Sequence, residues 1–89
     1  MSAPGAAHRT VLTVEYDDTE RARRVEHSVR PEVGAIDGDR TTATLDREGA
    51  VLTVTVAASD LVALRAGVNT WLTLVSVAEA AGAAATQEY

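Results

Sequence analysis

The chain has no cysteine, no lysine and no phenylalanine, and each absence narrows what it can be. Without cysteine, no disulfide braces the fold and no thiolate zinc site can form. Only Tyr16, Trp71 and Tyr89 are aromatic, so the core of a chain that is 46% apolar must be built from Val, Leu and Ala. All eight basic residues are Arg, against thirteen Asp and Glu, for a net charge of −5. Such a balance lacks the basic footprint of an autonomous nucleic-acid binder. At molar salt, where screening acts over about 3 Å, net charge constrains binding less. An acid-rich chain that uses Arg for Lys and small apolar residues for aromatics is expected in a salt-adapted proteome of high GC content. GC bias alone also exchanges Lys for Arg. Residues 1–7 carry no basic stretch followed by an apolar one, so no secretory signal is expected and the location is expected to be cytoplasmic.

With 89 residues the chain is one small domain with little stability to spare, and partnering with another chain would add buried surface. Residues 1–7 read as a flexible N-terminus, 8–82 as a single α+β domain, and 83–89 as a frayed Ala-rich tail. "RTVLTVEY" alternates, with Leu12, Val14 and Tyr16 on one face, which signals a half-buried strand. In "DDTERARRVEHSVRPE" the period changes. Asp17 with Glu20 has capping-box spacing, Ala22, Val25 and Val29 form a narrow inner stripe, and Pro31 ends the helix. Glu20 with Arg24 and Glu26 with Arg30 are favourable i,i+4 pairs. "TTATLD" and "AVLTVTVA" are two more alternating runs joined by a turn near Gly49. Ser59 and Asp60 supply an N-cap and a first-turn acid for a long helix that runs to about Ala81, where Gly82 offers a stop. The order is β-α-β-β-α: an α+β domain with a three-stranded antiparallel sheet and two helices packed on one face.

Catalytic motifs are weak. His8 and His27 fall in separate elements, and His27 lies on the polar side of its helix. Asp17 with Asp18, and Asp37 with Asp39, resemble cation-binding pairs, but both sit where Asp is expected for capping and turns. "GAIDG" lacks the Lys and Ser/Thr of a P-loop and the spacing of a dinucleotide fingerprint. No catalytic residue, cofactor or metal is expected. The RNA reading rests on Arg21, Arg23 and Arg24, the candidate tRNA contacts, with Arg30 at the helix end. There is no GXXG clamp and no strand pair of aromatics for base stacking, and a solvated face paired with Glu20 and Glu26 is the simpler account.

The long helix holds the most information. "LVALRAGVNTWLTLV" is long and apolar, but Arg65 near its centre would cost at least about 2.5 kcal/mol in a bilayer, so no membrane span is expected. At about 100° per residue, Arg65, Asn69, Thr73, Ser76 and Glu79 gather in about a third of the circle. Leu64, Val68, Trp71, Leu74, Val75, Val77 and Ala78 fill an apolar arc of about 200°. A surface helix needs about half that width. The surplus implies a second neighbour, because contiguous exposed apolar patches mark interfaces. The first helix, with its narrow stripe, covers only part of it.

The stretch "ASDLVALRAGVNTWLTLVSVAE", with Ala58-Ser59-Asp60, Leu64-Arg65-Ala66, Asn69 and Leu72, resembles the C-terminal helix of the small dimerising, Pcc-type subunit of the KEOPS complex. "RPE" at Arg30–Glu32 and the element order are similar too, and the resemblance covers about residues 10–80. Gly67, where an Ala-like helix former is expected, departs from the pattern, and the lack of Lys suits a haloarchaeal version. The resemblance implies a non-catalytic scaffold that forms a homodimer and bridges copies of an ATPase-like catalytic subunit. That assembly threonylcarbamoylates adenosine in ANN-reading tRNAs. It further implies that Leu61, Leu64, Val68, Leu72 and Val75 pack against the sheet or partner helices, with Arg65 and Asn69 making specifying hydrogen bonds at the interface. Contact with tRNA is expected to be indirect or weak.

The alternative is an autonomous small RNA-binding module. It predicts tRNA binding by the isolated chain that drops when Arg23 and Arg24 are both replaced by Ala. A gel-shift titration with no binding at low salt removes that reading.

Overall fold

The computed structural model describes residues 8–34 and 41–86, with side chains as far as Gly82. The N-terminus 1–7, the Asp37/Asp39 pair and the rest of the "GAIDG" loop beyond Gly34 lie outside the described residues, as does Tyr89. Strands β1 (His8–Glu15), β2 (Thr41–Glu48) and β3 (Val51–Ala58) form one antiparallel sheet in the order β1-β3-β2. Helices α1 (Thr19–Val29) and α2 (Leu61–Thr86) pack on one face of it, α1 over β2 and β3 and α2 chiefly over β3 and β1. This is the expected β-α-β-β-α arrangement.

The alternation in each strand decides which face meets the helices. In β3 the side chains of Leu52, Val54, Val56 and Ala58 are fully buried, whereas Val51, Thr53, Thr55 and Ala57 on the other face stay half-buried. β3 is central because it is the most apolar strand on both faces. The edge strands contribute Leu12 and Val14 from β1 and Ala43 and Leu45 from β2 to the inner face. The β2–β3 connection is a two-residue hairpin, since Glu48 pairs with Val51. Its first residue, Gly49, has φ +62, and among the described residues no non-glycine residue, Ala50 included, has positive φ, the pattern of a II′ turn.

Helix ends differ from expectation in three places. Asp18, one residue later than expected, caps α1 by accepting from the Arg21 N–H at 2.7 Å. Asp17 instead pairs with Arg21 across one turn at 3.7 Å. At α2 the cap is Asp60, which accepts from the Ala63 N–H at 2.8 Å, and Ser59 stands outside the helix. A carboxylate reaches the third N–H as well as a hydroxyl does and also complements the helix dipole. Gly82 does not stop α2, which continues to Thr86. Glycine commonly ends a helix by taking positive φ, and among the described glycines Gly34 and Gly49 do so but Gly82 does not. α1 ends as expected, at a 3₁₀ turn over Arg30–Glu32 containing Pro31.

Trp71, 1% exposed, fills the space between α2, α1 and the sheet together with Val25, Val29, Leu52, Val54 and Val75. One turn earlier, Gly67 lets the backbone of α2 approach β3. A Cβ there would lie 2.9 Å from Val56 Cγ1 and 3.0 Å from Thr41 Cγ2. Both are tips of stiff β-branched side chains, which explains why this position departs from an Ala-like helix former. Gly67→Ala gains about 1 kcal/mol of helix propensity, yet it must push α2 off the sheet or force two rotamers, costing about 1–3 kcal/mol. The expected outcome is a net loss of stability in urea unfolding, growing further in Gly67→Val.

Candidate protein interface

The seating of α2 at Gly67 and Trp71 fixes its rotation. Ala63, Leu64, Gly67, Val68, Trp71, Leu74, Val75 and Ala78 turn inward, an arc of about 140°. The opposite side is exposed and mixed. It carries Leu61 (54% exposed), Val62 (72%), Leu72 (49%) and Val77 (60%) among Arg65, Ala66, Asn69, Thr70, Thr73 and Ser76. The expected single apolar arc is therefore corrected at two residues. Val77 lies outside it, and Glu79 is drawn inward to half-burial by a bond from Tyr16. Helix periodicity cannot foresee that partner, because Tyr16 lies just past the end of β1, 63 residues away in the sequence.

The residues singled out from the sequence thus divide. Val75 is buried, and Leu64 and Val68 are half-buried against the core, so these three hold α2 to its own sheet. Leu61, Leu72, Arg65 and Asn69 face solvent. Arg65 and Asn69 lie near the middle of the outward face, with Leu61 and Leu72 on one side and Val62 and Val77 towards the other. Neither side chain makes a hydrogen bond to another described residue, so both are free to meet a partner. Thr70, by contrast, turns its hydroxyl back to the Ala66 carbonyl at 2.9 Å. Asn69, Thr70, Thr73 and Leu74 line an open, largely apolar depression of about 320 Å³.

α2 is long and apolar enough to cross a membrane by length and composition, over Leu61–Gly82. Its inner face packs against the sheet and α1, and Arg65 stands on its exposed face.

On α1 the arginines are mostly engaged. Arg21 sits over the Tyr16 ring, 5.7 Å from its centre, and Arg23 lies 3.7 Å from Glu20. Glu20 was expected to pair with Arg24; the three-residue spacing to Arg23 is used instead, and exposed Arg24 has no ion-pair partner among the described residues. The Tyr16 hydroxyl donates to Glu79 Oε2 at 2.7 Å. Burial, then that bond and the charge of Glu79, hold the phenol neutral well above its ordinary range, opposed by Arg21. Glu26 accepts from Arg30, as expected, and also from Arg47 Nε of β2 at 2.6 Å, a link absent from the sequence reading. Arg47 in turn donates to the Gly49 carbonyl at 3.0 Å, tying α1 to the hairpin. Among the described residues no three His, Cys, Asp or Glu side chains converge on a common point. His27 is exposed on α1, and His8 opens β1.

The family described as "Transcription factor Pcc1" matches residues 9–81. A chain of a solved structure, the "Crystal structure of binary complex Gon7-Pcc1", is similar to this one with a TM-score of 0.78. The two are 16% identical, and the likeness covers 89% of this chain and 96% of that one. No curated protein sequence matches.

The Glu26 link generates a pH dependence. Its carboxyl is held below the usual 4.5, first by the hydrogen bond from Arg47 and then by Arg30. A depressed carboxyl contributes stability above its unfolded value, lost as pH falls through the folded one. Melting between about pH 5 and pH 3 should therefore fall less steeply in Glu26→Gln than in the unmodified chain, with Glu26→Gln the less stable at neutral pH.

Proposed function

Because the chain belongs to the Pcc1 family, we propose that it is a non-catalytic accessory subunit of the KEOPS complex. It acts as a homodimer that bridges copies of the ATPase-like catalytic subunit and so supports threonylcarbamoylation of adenosine in ANN-reading tRNAs. The family match over residues 9–81 is the observation that carries this reading. Two further features support it. The outward face of α2 combines Leu61, Val62, Leu72 and Val77 with the unbonded side chains of Arg65 and Asn69, a composition suited to docking helices of a partner. The neighbour in the Gon7–Pcc1 complex is itself part of a two-protein assembly. The location proposed is cytoplasmic, in a salt-adapted cell, in keeping with the absence of Lys and the net charge of −5.

The family description as a transcription factor would place the chain on nucleic acid. Its acidic balance weighs against direct binding, and so does the pairing of Arg21 with Asp17 and Arg23 with Glu20. Contact with tRNA is therefore assigned a supporting part through Arg24 and its neighbours.

Tagged protein purified from a native host at high salt is expected to carry a much larger ATPase-like partner and to elute as a dimer. Leu72→Arg, on the exposed face, should cut capture of that partner by about tenfold or more while leaving the melting temperature nearly unchanged. A monomeric elution profile with no such partner would sink the proposal.

A further inference from the structure

The buried points that hold α2 end before the helix does. Ala63, Gly67, Trp71, Val75 and Ala78 recur every three or four residues and seat it on the domain. From Glu79 to Gly82 no residue is fully buried, and Ala80 and Ala81 are exposed, yet the helix continues to Thr86. A helical segment without an apolar anchor is held by its own backbone bonds alone and opens easily.

One polar contact lies where the apolar seat stops. The Tyr16 hydroxyl donates to Glu79 Oε2 at 2.7 Å, and Glu79 is half-buried. Tyr16 is itself held. Its N–H donates to the Ala50 carbonyl at 2.9 Å in the hairpin turn, and its ring packs against the core. The Arg21 guanidinium of α1 stands 5.7 Å from the ring centre. One side chain thus ties Glu79 to β1, to the hairpin and to α1. Packing alone does not call for this pair. A phenylalanine fills the same space as Tyr16, and a carboxylate leaves water at a cost unless a donor meets it.

We propose that Tyr16 is a positioning residue for partner docking: through Glu79 it fixes the direction of the last turns of α2. The exposed side chains of Ser76, Val77 and Ala80, which extend the face begun by Leu61, Arg65 and Leu72, are aimed with them. The inference rests on the KEOPS reading above and names a residue on which docking at that face depends. Glu79 lies about two turns past Leu72 and nearly on the same line along the helix. A tilt released at Glu79 therefore moves the rim that Leu72 and Ser76 share. A partner that spans the whole face binds only the aimed orientation. Its apparent affinity falls with the fraction of molecules that hold that orientation. Docking then depends on a side chain that the partner need not touch.

The ATPase-like partner, purified from the native host and titrated against each full-length variant, tests this. Tyr16→Phe should weaken capture about fivefold. Glu79→Gln keeps an acceptor for the hydroxyl and should stay near the unmodified chain. Two apolar groups of similar shape need no hydrogen bond, so Tyr16→Phe combined with Glu79→Met should recover most of the loss. In the free chain, hydrogen exchange of α2 from Glu79 to Thr86 should be about tenfold faster in Tyr16→Phe, and unchanged around Trp71. Exchange that rises equally at Trp71, or capture lost in Glu79→Gln as well, marks a general structural tie and overturns the proposal. Undiminished capture by Tyr16→Phe overturns it too. An unmodified chain that captures no large partner removes the KEOPS reading itself, and the inference falls with it.

Discussion

The close approach of α2 to β3 at Gly67 is the contact on which the rest of the molecule depends. With Val56 and Thr41 where a Cβ would stand, the helix axis comes near enough for Trp71 to fill the space one turn on. A core drawn from Val, Leu and Ala, with a single buried tryptophan, has few large side chains to bridge a wider gap, so it reaches normal packing density by bringing backbones together. Once that seat is taken the rotation of α2 is settled along its length. Val75 and Ala78 fall inward, Leu61, Val62, Leu72 and Val77 fall outward, and Glu79 arrives beside Tyr16.

Polar contacts then fasten the periphery of this small core. Tyr16 joins the end of β1 to the C-terminal half of α2, and Arg47 joins β2 and the hairpin to α1 through Glu26. Each link joins elements distant in sequence, and each lies at the rim, where partial burial strengthens a charge-assisted bond without the full desolvation cost of the interior. No buried side-chain nitrogen or oxygen among the described residues lacks a partner. The helix caps, Asp18 and Asp60, hold the two chain segments that leave the sheet. The net result is a domain whose inner surfaces are satisfied. Its unsatisfied ones, the outer side of α2 and the free edge of β1, are both of kinds that proteins fill with other proteins.

Much of this was legible in the residues. Alternation at Leu12 and Val14, and at Leu52, Val54 and Val56, marked strands; the spacing of Ala22, Val25 and Val29 marked α1; Gly49 marked the hairpin. The resemblance to the Pcc-type subunit rested on α2, and the family match spans the domain. The misreadings share one cause. Asp17 for Asp18 and Arg24 for Arg23 are choices between adjacent residues, the stop at Gly82 fell four residues short of Thr86, and Val77 and Glu79 were put on the wrong sides of α2. Local spacing is nearly degenerate there, and a tertiary contact or a backbone angle breaks the tie.

Element order and the α+β class could be read from the residues alone, because period and turn chemistry are properties of adjacent residues. The family rested on the likeness of α2 and its neighbours to the Pcc-type subunit and on the match over residues 9–81. The residues alone also showed that α2 is too apolar to be an ordinary surface helix. Packing of helix on sheet was needed to set the strand order β1-β3-β2, which of α2's apolar residues point away from the core, and the place of Arg65 and Asn69 in the midst of the outward face. Those outcomes depend on how closely a helix can approach a sheet. Here that distance is set by a missing Cβ at Gly67, and its effect is defined only when β3 lies beneath it.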